Sequence, residues 1–203
     1  MGKPNKNVFR HKTCRRLGLS VCGAVNCPLA RRPNPPGQHG ANKRQKTSEY
    51  GTQLLETQKL RAYYGVSAKQ LKRYYEAATR SKMQTNMALV QTLETRFDNM
   101  VYRLGFTGTL RAARQMVVHR HLLINGKNVN KPSYQIQPGD TIQLREKSQK
   151  VTKYQEWFNF YEPKVPYVVR ETGAFIGNLA RLPERTEVPI LVDDHLFIEF
   201  LAR

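Results

Sequence analysis

Acidic residues are scarce in this chain. Fifteen carboxylates face 34 lysines and arginines, leaving a formal net charge of +19 over 203 residues. A surplus that large points to a polyanionic partner, nucleic acid or an anionic membrane, and says nothing about fold. Long apolar runs are missing too. No stretch reaches the ~18 to 20 apolar residues of a spanning helix, and no basic head, apolar run and small-residue cleavage site opens the chain. The expected setting is therefore the cytoplasm, with no membrane contact. Catalytic signatures are equally absent: there is no G-x-S-x-G, no Walker loop, no G-x-G-x-x-G and no H-E-x-x-H. His119 and His121 are two apart and cannot share a helix face. Asp98, beside Arg96 and Asn99, reads as a helix-surface ion pair or a buried polar anchor rather than a catalytic acid. No enzyme and no small-molecule substrate is expected.

The charge that is present is unevenly spread. Residues 1–50 carry eleven basic and one acidic residue, 51–95 seven and three, 96–150 ten and three, and 151–203 six and eight. An RNA or DNA contact should lie along the first three segments, and the last reads as packing or a protein-facing surface.

Local pattern changes along the chain in the same way. Residues 1–47 have no helical or strand period, are dense in Pro, Gly, Asn, Arg and Lys, and alone would bury too little to order themselves. From Ser48 a helix is predicted, with Leu54, Leu55 and Tyr63 among polar residues and Gly65 as its C-terminal glycine. Ser67 and Gln70 then form a capping box, followed by Leu71, Tyr74, Tyr75 and Ala78 on one face, with Lys69, Lys72, Arg73 and Arg80 mostly on the other. A longer helical stripe runs from Asn86 through Leu89, Leu93, Phe97, Met100, Val101 and Leu104 to Gly105. A second helix, about Thr109 to His119, turns Leu110, Ala113 and Val117 inward, and Arg111 and Arg114 share its outward face. Asn125-Gly126 between apolar runs predicts a two-residue hairpin, and Pro138 to Asp140 a further turn before another strand. Two helices feeding a small sheet, with arginines outward, make a platform for a phosphate backbone. Residues 151–185 read as irregular strands and loops, and Asp193 could cap a short final helix.

Cysteine is scarcer than acid, and it is concentrated. All three cysteines lie in HKTCRRLGLSVCGAVNC, residues 11–27. His11-x2-Cys14 and Cys22-x4-Cys27 match the ligand set of a closed structural zinc site, which orders a segment that cannot fold alone. His39 is a rival fourth ligand. Three reduced, unligated thiols and an iron-sulfur cluster are the alternatives.

RRPNPPGQHG at 31–40, SEYGTQLLETQKLRAYYGVSAKQLKRYYEAA, LETRFDNMVYRLGF, ARQMVVHRHLLINGKNVNKPSYQIQPGDTIQLREK and PERTEVPILVDDHLFIEFLAR together closely resemble the S-four family of bacterial small-subunit ribosomal proteins. The resemblance covers nearly the whole chain, most strongly 31–75 and 93–150. It implies an α+β fold: a basic N-terminal arm (1–47), a helical domain (48–92, completed by 186–203), and an inserted RNA-binding domain (93–185) whose alpha-L core spans about 94–150. It favours a helix for Asp194 to Leu201. It further implies direct, early binding to the five-prime region of small-subunit ribosomal RNA, contact with the fifth small-subunit protein near the decoding region, an influence on accuracy and, in some members, repression of their own operon. The loop holding Lys43, Arg44 and Lys46 would lie where messenger RNA enters. Zinc-bearing members pair C-x2-C with C-x4-C, and here His11 takes the first place of the first pair.

The residues expected to hold RNA are Arg111, Arg114, His121 and Lys127, with Arg96 and Arg103 on the preceding helix, Lys69, Lys72 and Arg73 in the first domain, and Gln38 and His39 placing loop backbone against RNA. Two rival classes remain: a regulatory RNA binder using the same surface, and an RNA-modifying enzyme, for which residues 151–203 are too few to supply a catalytic domain.

Overall fold

The computed structural model describes residues 10–23, 26–41, 47–171 and 173–203. The chain divides into two compact units, one running to Lys72 and resuming at Ile190–Arg203, the other Arg73–Pro189.

In the first unit, α1 (Arg10–Leu17) forms where no period was visible, burying Cys14 and Leu17 on one side. Eight residues with two inward positions give too short a repeat to register in sequence. Helix α2 (Glu49–Tyr64) starts at Ser48, whose hydroxyl accepts from the Gly51 N–H, and ends at Gly65 in the left-handed region. Its buried face is Gln53, Glu56, Thr57, Leu60 and Tyr64, while Leu54 and Leu55 are only half-buried. It packs on the final helix, α9 (Asp194–Ala202). Asp193 caps α9 by accepting from the N–H groups of His195 and Leu196, and its own N–H donates to Glu56 Oε2 at 3.2 Å. Helix α3 (Ala68–Thr79), which begins in this unit and ends in the second, starts at Ser67, whose hydroxyl accepts from the Gln70 N–H, and buries Leu71 and Ala78.

The second unit corrects the long helical stripe. It is two helices, α4 (Thr85–Glu94) and α5 (Phe97–Arg103), broken where Arg96 turns extended (φ −61°, ψ 138°) and bridges to Gln135. The Phe97 N–H donates to the Tyr134 carbonyl and the Ile136 N–H to that of Thr95, so a passing strand-like segment replaces the helical bonds missing at the break. Helix α6 (Leu110–Val118) is capped by Thr109, which accepts from the Ala112 N–H.

Five strands follow: β1 (Leu122–Ile124), β2 (Lys127–Asn128), β3 (Thr141–Leu144), β4 (Val168–Glu171) and β5 (Ile176–Leu179), all antiparallel in the order β2-β1-β3-β5-β4. The β1–β2 turn has Asn125 at φ 49° and Gly126 at φ 74°, the paired positive values a two-residue hairpin needs. Leu122, Ile124, Ile142, Leu144, Leu179 and Val168 face a core shared with α5 and α6. Gly177 of β5 runs so close beneath α5 that an added Cβ would sit 2.6 Å from Leu104. Between β3 and β4 lie α7 (Glu146–Gln149) and, within 151–185 where irregular strands and loops were expected, α8 (Thr152–Phe160), which buries Phe158. The fold is α+β, and among the described residues no helix is long and apolar enough to cross a membrane.

Candidate nucleic-acid interface

The outward face of α6 carries the expected pair. Ala113, Met116 and Val117 are buried, which leaves Arg111 exposed and Arg114 with 43% of its side chain exposed. Arg114 is braced from below: its Nη1 lies 3.8 Å from Oδ2 of Asp98, a buried residue. Asp98 accepts from Arg96 at both oxygens, 3.1 Å at Oδ1 and 2.8 Å at Oδ2, and from the Asn99 N–H at 3.0 Å. Arg96 also donates to the Tyr74 hydroxyl at 2.6 Å. Burial pushes the Asp98 carboxyl up against the opposing pull of Arg96 and Arg114. Burial alone would depress Arg96, but the Asp98 charge and hydrogen bonds outweigh it and raise the guanidinium. Since both Asp98 oxygens accept, the pair is ionic. Two guanidinium groups share one carboxylate, and the outer of the two, Arg114, reaches the surface.

That geometry corrects two expected contacts. Arg96 is 0% and Arg103 1% exposed, so neither offers its guanidinium to RNA. Arg103 donates to Glu94 at 2.7 and 3.0 Å, and the same carboxylate accepts from Asn99 Nδ2 at 2.6 Å and the Tyr167 hydroxyl at 2.7 Å. Both arginines hold the second unit together from within. Nothing in local pattern separates such an arginine from a surface one, because its partners lie elsewhere in the chain.

Beyond α6 the basic surface continues. His119 is exposed, and Arg120 holds φ 61°, a left-handed position usually left to glycine. His121 is half-buried, with Nδ1 2.9 Å from Ser148 Oγ. Burial, then the neighbouring His119 and Arg145, hold its imidazole below the usual value. Lys127 is exposed on β2. Sequence reasoning missed Arg120 and Arg145. Both are exposed, and the Arg145 N–H donates to the His121 carbonyl at 2.9 Å; the charge count of 96–150 was the available signal. On α3, Lys69, Lys72 and Arg73 are exposed, as are Gln38 and His39 in the arm. Lys43, Arg44 and Lys46 lie outside the described residues.

The thiols gather in the arm. One ligand atom each from His11, Cys22 and Cys27 lie within 4.8 Å of one another, a cluster able to hold a metal ion. Cys14 stands outside that triangle but hydrogen-bonds Cys22 and feels the Cys27 charge; burial, then Cys22, push its thiol up to about 12. Cys27 is held below its ordinary value: partial burial opposes, but hydrogen bonds from Ser20, the Leu29 backbone and Cys22 prevail. His11 Nδ1 is buried with no hydrogen-bond partner among the described residues, and an orphaned imidazole nitrogen beside three thiols suits zinc. His39 is not in the cluster.

Known proteins match throughout. Residues 8–94 match the family described as the ribosomal protein S4/S9 N-terminal domain, and residues 95–142 the S4 domain. The chain is 46% identical to small ribosomal subunit protein uS4B of Clostridium acetobutylicum, covering 96% of each. It is 44% identical to uS4 of Brevibacillus brevis, again covering 96% of each, and 43% identical to uS4 of a Geobacillus species, over 95% of this chain and 96% of that one. With Arg111 and Arg114 outward on a small α+β platform, Arg114 braced by a buried carboxylate, a thiol cluster in a basic arm, and relatives matched nearly end to end, the chain belongs to the uS4 family of small-ribosomal-subunit proteins.

Proposed function

We propose that this chain is a structural constituent of the small ribosomal subunit that binds small-subunit ribosomal RNA directly, in its five-prime region, early in assembly. The carrying observation is the face of α6, where Arg111 and Arg114 project from a rigid insert and Arg114 is held by a buried carboxylate. Affinity would come from Lys and Arg on phosphates, and selectivity from the shape of a folded RNA junction. Lys127 and His121 extend the insert's contact; Lys69, Lys72, Arg73, Gln38 and His39 contribute from α3 and the arm.

Replacing Arg111 and Arg114 together by alanine should lower the log-log salt slope of RNA binding by up to ~0.9 for each phosphate the protein no longer neutralises, and should weaken many RNAs alike. An unchanged slope overturns the assignment. Sedimentation with subunits in high salt separates an integral component, which stays bound, from a regulator, which washes off.

Zinc belongs to the same reading. His11, Cys22 and Cys27 would hold it with Cys14 as fourth ligand, and the ion would supply order to the arm rather than chemistry. The family resemblance also supports contact with messenger RNA through Lys43, Arg44 and Lys46, and with the fifth small-subunit protein, with consequences for accuracy and for repression of the chain's own operon.

A further inference from the structure

Beside the α6 face lies a line of rings that phosphate binding leaves unexplained. His119 and His121 stack with centroids 6.1 Å apart and planes 20° apart. His121 meets Tyr154 at 5.0 Å, and Tyr154 meets Trp157 at 5.9 Å. Trp157 then lines an open hollow of about 590 Å³ with Phe160, Tyr161, Asn159 and Glu156.

Core packing explains the inner edges of Tyr154 and Trp157, which lie against the insert's core. It does not explain Phe160, an aromatic ring 74% exposed at the end of α8. The surrounding charge indicates what would cover it. Over 145–162, the stretch that carries Tyr154, Trp157 and Phe160, the cations Arg145, Lys147, Lys150 and Lys153 outnumber the carboxylates Glu146, Glu156 and Glu162. Lys153 holds its ammonium 4.6 Å from the centre of the Trp157 ring, and the backbone N–H of Arg145 donates to the His121 carbonyl, which keeps that residue beside the rings. Single-stranded RNA supplies both halves of the match, flat bases for rings and phosphates for cations. Asn159 and Glu156, on the wall of the hollow, carry groups that can meet base edges.

We propose that His121, Tyr154, Trp157 and Phe160 form a stacking platform for unpaired RNA bases, with Lys153 and Arg145 on the intervening phosphates. This rests on the chain being an RNA binder and adds a second kind of contact, to single strands, beside the arginine face of α6. His121, neutral at pH 7, suits a stacking position.

Trp157 is the sole tryptophan of the chain, so its emission reports the platform directly. A 12-nucleotide oligoadenylate titrated into the full chain at low salt should quench that emission saturably. Phe160→Ala, at a position too exposed to matter for folding, should weaken binding of the oligomer about fivefold. Trp157→Leu and Trp157→Phe carry no tryptophan, so their binding is followed by the anisotropy of a fluorophore on the oligomer: the first should cost about tenfold and the second should restore most of it, a stacking signature, since base stacking on one ring is worth about that much. The same chain is tested with a five-prime ribosomal RNA fragment. If the fragment binds while the oligomer leaves Trp157 emission and Phe160→Ala affinity unchanged, the platform is overturned and the function stands. If the fragment itself does not bind, both fall. Emission that moves only with purified small-subunit proteins would overturn the RNA platform and assign the rings to a protein partner.

Discussion

The insert and the amino-terminal arm hold their backbones by different means. The insert gathers eighteen buried apolar residues around α5, α6 and the sheet, and threads them with two buried ion pairs, Arg96–Asp98 and Arg103–Glu94. Among the described residues of the arm, 10–23 and 26–41, only Cys14 and Leu17 are buried apolar side chains. What the arm has instead are polar ties, such as Arg15 Nε to the Asn34 carbonyl at 2.9 Å, and the cluster of His11 with the thiols. A region that buries this little apolar surface depends on an ion or a partner to offset its chain entropy, whereas the insert does not. The basic residues of the chain therefore sit on two kinds of scaffold, one with an apolar core of its own and one that, among its described residues, buries little apolar surface.

The sharpest way to break this comparison is at Glu94. Glu94→Ala strands the Arg103 guanidinium in the core and removes the acceptor of Asn99 and Tyr167, and breaking a buried pair this way costs about 3–5 kcal/mol. Denaturant unfolding of the insert should shift by that amount; a shift below ~1 kcal/mol would place its stability in the apolar core alone. Cys22→Ser with Cys27→Ser should do the opposite. Elemental mass spectrometry is expected to find one zinc per wild-type chain and none in the variant, with trypsin cutting the variant's arm sooner and the insert's melting unmoved. Metal-free wild-type protein with an equally protected arm would leave RNA as the arm's organiser. The smallest effect belongs to Lys164. Its stem is exposed, but its ammonium sits 3.7 Å from the centre of the Tyr102 ring, and burial, then the Arg103 charge, lower it to about 8. The unfolded chain binds the extra proton between pH 8 and 10.5, so the stability of the insert should rise slightly with pH across that window, and Lys164→Met should flatten the rise.

Sequence made some of this legible and hid the rest for physical reasons. Caps are local chemistry, and so Ser48, Gly65, Ser67, Thr109 and Asp193 mark helix ends where they were expected. The Asn125-Gly126 hairpin is legible on the same ground. The break at Thr95–Arg96 was not, because the apolar period continues across it: α5 resumes with Phe97, Met100 and Val101 on the inward side. What ends α4 is a bridge to Gln135, some forty residues away. Helix α8 was hidden by its aromatic residues, which suit helix and strand alike. For the site, exposure divides the arginines: Arg111 and Arg114 could be placed by helical phase, while Arg96 and Arg103 are claimed by partners that only the fold brings near.

The sheet order also sets a timetable for synthesis. Strand β3 pairs on one side with β1, made just before it, and on the other with β5, made about 35 residues later. At ~5–20 residues per second, a nascent chain waits about 2–7 s with one edge of β3 open and Leu104 lacking its Gly177 neighbour. An open strand edge beside bare apolar surface invites pairing with other chains, so slow codons between residues 145 and 176 should lower the yield of folded protein more than equally slow codons after 180.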